Sequence, residues 1–146
     1  MPTAARLVGA ISFTFLAFVI STMIIPLLPE GTKTDSLWML NCAVGLFCGW
    51  KVMGPRGVGT RVDALAGGVT TALVAFLLAL FLHASIRMVH LSMRKIYNGA
   101  TEAVVAVFDI SLNWALLFMT TEVITTLIAG GIFCGYLSWK AGKHWG

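Results

Sequence analysis

Residues 7–25, LVGAISFTFLAFVISTMII, decide the class of this protein because they contain no charged side chain. At a rise of about 1.5 Å per residue, a helix of this length crosses the ~30 Å hydrocarbon core of a bilayer. The run ends near Pro26 and Pro29 rather than at a small-residue cleavage site, which favours a retained helix over a signal peptide. We therefore predict a transmembrane helix over residues 7–25.

The composition of the whole chain agrees with this assignment. Of its 146 residues, 58% are hydrophobic and 11% are charged, whereas soluble domains carry about 25% charged residues. The net charge of +4 is spread over several loops, so no basic run of the kind that binds nucleic acid is present. The composition therefore predicts an integral membrane protein and excludes a nucleic-acid partner.

Three further apolar segments repeat the pattern, at residues 37–53, 64–86 and 123–139. A fourth segment, residues 102–119, contains Asp109, and a charge at the bilayer centre costs about 2.5–3.5 kcal/mol on insertion scales. There an amphipathic helix lying at the interface is favoured over a fifth span. The sequence thus predicts an all-α, polytopic membrane helical bundle with about four transmembrane helices plus one amphipathic interfacial helix, in a single membrane domain over residues 1–146.

The distribution of Lys and Arg predicts the orientation of the bundle. With the N-terminus in the cytoplasm, the cytoplasmic side holds six cations, Arg6, Lys51, Arg56, Arg61, Lys140 and Lys143. The other side holds four cations, Lys33, Arg87, Arg94 and Lys95. Five of the six acidic residues also fall on that outer side, and Asp63 alone lies inside. We therefore expect both termini in the cytoplasm.

A short pattern occurs twice, as GLFCGW at residues 45–50 and as GIFCGY at residues 131–136. Small residues let membrane helices approach closely, and close packing drives their association. The pattern therefore predicts helix packing at four glycines, Gly45, Gly49, Gly131 and Gly135. The alternative is redox or metal chemistry at Cys48 and Cys134, although no basic residue lies within one turn of Cys134 to activate its thiol.

Polar residues in and after the third segment form a second pattern. His83, Arg87, His90 and Arg94 recur at spacings of four, three and four, which places them on one helical face. We expect this stripe to pair with three acidic residues, Glu102, Asp109 and Glu122. The alternative is contact with an oxyanion or a lipid headgroup. His83 and His90 lie roughly 10 Å apart along the axis, too far for one metal ion, so no metal site is predicted.

No motif for catalysis or cofactor binding is present. The chain lacks GxSxG, HExxH, a P-loop and a dinucleotide fingerprint. Transporters usually carry ionisable groups or broken helices near the midplane, whereas the spans here hold little polarity beyond Asn41, hydroxyls and glycines. We therefore predict no enzyme and no cofactor, and transport by this chain alone is disfavoured.

Several segments together resemble the TrgA family, small alpha-proteobacterial membrane proteins linked to tellurite resistance. They are MPTAARLV, PLLPEGT, NCAVGLFCGWKVMG, MRKIYNGATEAVVAVFDI and EVITTLIAGGI, in this order along most of the chain. The resemblance implies a protein of the bacterial inner (plasma) membrane with a role in tellurite resistance, as part of a stress response to this oxyanion. It implies no reaction and no ligand residues.

Three hypotheses for function follow. The first is a TrgA-type role in tellurite resistance, with the lipid bilayer as the surrounding partner. The alternative is a small scaffold or accessory subunit of a larger membrane complex, or a homo-oligomer, that packs through the glycines. The third is a thiol-dependent redox protein that uses Cys42, Cys48 and Cys134.

Overall fold

The computed structural model describes residues 4–30, 34–95 and 97–145, and in these residues it contains helices and no strand. Five long helices make up the fold: α1 (Ala4–Ile24), α2 (Leu37–Cys48), α3 (Arg61–Ser92), α4 (Ala100–Phe118) and α5 (Thr121–Trp145). A π-helical turn, Gly49–Met53, and a short turn, Gly54–Arg56, prolong α2. The predicted all-α membrane bundle is confirmed, and all five helices, α2 together with its two following turns, are long and apolar enough to cross a membrane.

Proline and capping residues set where helices begin and end, so the bounds of the helices differ from those of the apolar runs. The chain leaves α1 through a single 3-10 turn at Ile25–Leu27, which contains Pro26. At the start of α3, Thr60 and Asp63 form a capping box in which each side chain accepts the other's backbone N–H at 3.2 Å. Capped in this way, α3 runs for 32 residues, or about 48 Å.

Helix α1 lies between α2 and α5 and runs antiparallel to both. Near its start, Ala5 accepts a hydrogen bond from the Ser138 hydroxyl of α5 at 2.8 Å. Near its end, Ser21 accepts one from Asn41 of α2 at 2.9 Å. Helix α3 packs against α5 and, less extensively, against α2, which closes the bundle.

The first glycine pair, Gly45 and Gly49, faces α1. A Cβ atom added to Gly45 would lie 2.5 Å from the Phe13 carbonyl oxygen. A Cβ added to Gly49 would strike the carbonyl of Gly9, and one added to Gly9 would lie 3.0 Å from the Gly49 oxygen. The backbone of α1 therefore lies directly against that of α2 and its π-helical turn, and at Gly9 and Gly49 neither side carries a side chain.

The second pair, Gly131 and Gly135, faces α3. A Cβ added to Gly131 would lie 2.9 Å from the Gly68 carbonyl oxygen, and one added to Gly135 would strike the Ala64 carbonyl. The two copies of the repeat therefore both allow close backbone packing, but against different helices, and they do not face each other. We call the end of the bundle around Gly9, Gly49, Ala64 and Gly135 the glycine end.

Helix α4 is peripheral. It packs mainly on α3 and buries only Val107 and Phe118. Its free side carries exposed Val104, Phe108 and Leu112, at helical spacing. This helix matches the segment predicted as amphipathic, with most of its apolar face left uncovered.

Candidate functional site

A chain of three polar side chains links three helices at the end of the bundle opposite the glycine end. His83 Nε2 of α3 lies 2.9 Å from Asn41 Oδ1 of α2. Asn41 Nδ2 donates to Ser21 Oγ of α1 at 2.9 Å, and the Ser21 hydroxyl donates to the Ala17 carbonyl at 2.7 Å. Asn41 and Ser21 are buried, so the hydrogen bonds remove the cost of placing them inside.

The direction of these bonds fixes the tautomer of His83. Asn41 uses its Nδ2 as a donor to Ser21, so its Oδ1 accepts, and His83 must donate through Nε2–H. In the described residues no hydrogen-bond partner meets Nδ1. The contact with Asn41 therefore holds the orientation of the imidazole and leaves Nδ1 available as a hydrogen-bond acceptor.

His83 and Asn41 form the polar wall of a cavity of about 60 Å³. A cavity needs roughly 10–15 Å³ per water, so this one has room for a few water molecules. All five helices line it, and the tilted ring pair Trp114 and Phe118 at the end of α4 closes one side. We call this end of the bundle, around Ser21, Asn41 and His83, the cavity end.

The structure separates His83 from the rest of the predicted stripe. Arg87, His90 and Arg94 are exposed, whereas His83 is half-buried against Asn41. His83, Arg87 and His90 share one face of α3, and Arg94 lies in the turn after its last residue, Ser92. Helix α2 covers that face only up to its first residue, Leu37, one turn above Asn41. Beyond His83 the face is uncovered, so the stripe is reduced to Arg87, His90 and Arg94, which we call the cationic face.

The acidic residues expected to pair with the stripe lie elsewhere. Glu102, Asp109 and Glu122 are exposed, and within residues 4–30, 34–95 and 97–145 no ion pair joins them to the cationic face. Glu102 instead accepts a hydrogen bond from the backbone N–H of Asn98 at 2.9 Å. Lys33, assigned to the same side, lies outside the described residues.

The cysteines are free and separated by α1. Cys134 donates to the Ser12 carbonyl at 3.5 Å, and Cys42 approaches the Thr14 carbonyl at 3.8 Å. In the described part of the chain no three of the His, Cys, Asp and Glu side chains come close enough to hold a metal ion. The thiols therefore form no shared site with one another.

Asn41 is the site residue whose role the sequence did not reveal. A polar side chain inside an apolar span is itself a signal of function or of an interhelical hydrogen bond. Its partners were hidden because Ser21 and His83 lie 20 and 42 positions away along the chain. No protein-family model, curated protein or solved structure matches this chain.

Proposed function

We propose that this chain is an inner-membrane protein that supports bacterial tolerance of tellurite, and that the cationic face is its point of contact with the oxyanion. The observation that carries the proposal is the exposure of Arg87 and His90 on one face of α3 and of Arg94 in the turn that follows, without an acidic partner in the described residues. Clustered cations raise the local concentration of anions. The resemblance to the TrgA family supplies tellurite as the anion.

The proposed orientation places the glycine end in the cytoplasm. The elements at that end carry six cations, Arg6, Lys51, Arg56, Arg61, Lys140 and Lys143. The only acid among them, Asp63, is engaged in the capping box of α3. An excess of Lys and Arg next to the spans favours the cytoplasmic side. Both termini then lie in the cytoplasm, and the cationic face lies outside.

The interfacial placement of α4 is part of the proposal. Helix α4 ends at Phe118 beside Leu80, near the middle of α3, and α5 begins at Thr121 and packs along the first half of α3. At about 48 Å, α3 is longer than the ~30 Å core. Its second half therefore extends to the outer surface, where α4 lies beside it with its exposed apolar side against the lipid.

The glycines that motivated the alternative role as an accessory subunit pack against helices of the same chain. That hypothesis rested on glycines available to another protein, whereas Gly45 and Gly49 are occupied by α1, and Gly131 and Gly135 by α3. The thiol hypothesis is weakened in the same way, since Cys134 and Cys42 each approach a backbone carbonyl of α1.

Deleting the gene and measuring growth over a range of tellurite concentrations tests the proposal. We expect the deletion strain to stop growing at a several-fold lower tellurite concentration, and plasmid-borne wild type to restore tolerance. Growth without tellurite should be unchanged, which separates a specific role from a general membrane defect. Unchanged tolerance in the deletion strain would contradict the proposal.

A further inference from the structure

Two cations from different helices converge on one indole ring at the glycine end. The Arg61 guanidinium carbon of α3 lies 6.0 Å from the centre of the Trp139 ring and 5.5 Å from that of Tyr136. The Lys143 ammonium of α5 lies 5.3 Å from the same Trp139 ring. Each cation–ring distance is within about 6 Å, the range of cation–π attraction, and the two distances to the Trp139 ring place the charges at most about 11 Å apart.

The two like charges have no counter-ion within the described residues. Asp63, the nearest acid in sequence to Arg61, is held by Thr60. An aromatic ring attracts each cation but does not neutralise either. An anion that reaches both Arg61 and Lys143 would supply the missing negative charge, and a phosphate with its several oxygen acceptors suits both groups.

The face of α5 that carries these residues indicates what the phosphate belongs to. Ile128, Ile132, Tyr136, Trp139 and Lys143 follow one another at spacings of four, four, three and four, and so lie along one face. Ile128 and Ile132 are 44% and 42% exposed. The face therefore runs from aliphatic side chains through two aromatic rings to a cation, which matches the order of acyl chain, interface and headgroup in a bilayer.

We propose that Arg61, Trp139 and Lys143 form a binding site for the phosphate of an anionic phospholipid in the leaflet at the glycine end. The guanidinium and the ammonium donate hydrogen bonds to the phosphate oxygens, the Trp139 ring holds both cations in place, and an acyl chain lies along Ile132 and Ile128. The site is at the opposite end of the bundle from the cationic face. The proposal of a lipid site therefore does not depend on a role in tellurite tolerance.

Native mass spectrometry of the full-length protein in neutral detergent tests this site, with apparent affinities taken from titrations of phosphatidylglycerol and of phosphatidylcholine. Wild type should bind phosphatidylglycerol at least about tenfold more tightly, since charge-assisted hydrogen bonds to a singly anionic lipid are unopposed. The double variant R61Q/K143Q should lose that preference. The matched control K51Q/K140Q removes two exposed cations from the same end, and it should retain the preference to within about threefold.

Each other outcome overturns the assignment. If both double variants lose the preference for phosphatidylglycerol equally, the lipid is attracted by the whole basic end and not by this site. If wild type shows no preference, there is no site. Displacement of the lipid by millimolar glycerol-3-phosphate would assign the site to a soluble phosphate. If R61Q/K143Q aggregates, Trp139→Leu replaces it, because this change keeps both charges and should still reduce the preference by at least about threefold.

Discussion

The glycine end and the cavity end of the bundle are held together in different ways. At the glycine end the backbones meet directly, as where Gly49 faces Gly9 and Gly135 faces Ala64. At the cavity end large side chains and a chain of hydrogen bonds span the gap, and a space of about 60 Å³ remains. The difference shows that one small bundle can combine an end where the backbones leave no room for an added methyl group with an end that keeps polar groups and space.

The two ends also differ in what their charged side chains contact. At the glycine end, Arg61 and Lys143 lie over aromatic rings and Asp63 is tied to Thr60. At the cavity end, Arg87 and His90 stand exposed on the uncovered part of α3. Two cations of the glycine end therefore contact aromatic rings, although Lys51 and Lys140 at the same end are exposed, whereas the cations beyond the cavity end have no such contact.

The largest expected effect is at the cavity end, from Phe118→Ala. Phe118 is 5% exposed and closes the cavity from α4, so its truncation should lower the free energy of unfolding by about 3 kcal/mol. Unfolding in a detergent–denaturant titration measures this. Phe108→Ala on the same helix is the control, because Phe108 is 58% exposed and should change stability by less than about 0.5 kcal/mol. Equal effects would mean that α4 is not seated through Phe118.

A somewhat smaller loss is expected at the glycine end. Gly49→Ala or Gly135→Ala places a methyl group against a backbone carbonyl that cannot rotate away, which should cost about 1–3 kcal/mol through separation of the helices. The same titration applies. Gly59→Ala is the control, since its added Cβ would meet only ordinary contacts at 3.4–3.5 Å. Full stability of both test variants would refute direct backbone packing.

The polar chain should contribute less. Asn41→Leu leaves the His83 Nε2–H and the Ser21 oxygen without their partner, and interhelical hydrogen bonds in membrane proteins are worth about 0.6–2 kcal/mol. Asn113→Leu, at an exposed asparagine of α4, should be neutral. A double-mutant cycle of Asn41→Leu with His83→Phe should return a coupling free energy of about 0.5–1.5 kcal/mol. A coupling near zero would show that the two side chains do not interact.

The smallest effect is a gain at the end of α3. Lys95 adopts a φ of 55°, a left-handed conformation that disfavours side chains with a Cβ. Lys95→Gly should therefore raise the stability by less than about 1 kcal/mol. Arg94→Gly, at the preceding residue, is the contrasting change and should not stabilise, because among the described non-glycine residues the positive φ is found at Lys95. A loss of stability in Lys95→Gly would contradict this prediction and would mean that the Lys95 side chain makes a stabilising interaction.

The helices were predictable from the sequence because each apolar run carries its own signal. The predicted segments 7–25 and 37–53 correspond to α1 and to α2 with its following turns, and the others fall within α3, α4 and α5 to within a few residues. The ends were less predictable, since α3 begins at a capping box three residues before its apolar run. Periodicity identifies a helix more surely than it fixes the helix's first residue.

The partners of each face could not be read from the sequence. Helical spacing placed His83 on the same face as Arg87, correctly, but it cannot show where α2 ends and stops covering that face. In the same way GLFCGW and GIFCGY predicted close packing, whereas their separate partners depend on how four helices are arranged. The chain of Ser21, Asn41 and His83 depends on the same arrangement and was missed for that reason.

The most direct test of the account is to remove charge from one end at a time and measure tellurite tolerance in the deletion strain. The variant R87Q/H90Q/R94Q removes the cationic face, and R61Q/K140Q/K143Q removes three cations from the glycine end. With equal amounts of protein in the membrane, we expect the first variant to lose most of the tolerance that wild type restores and the second to keep it. Full tolerance with the first variant would contradict a role for the cationic face.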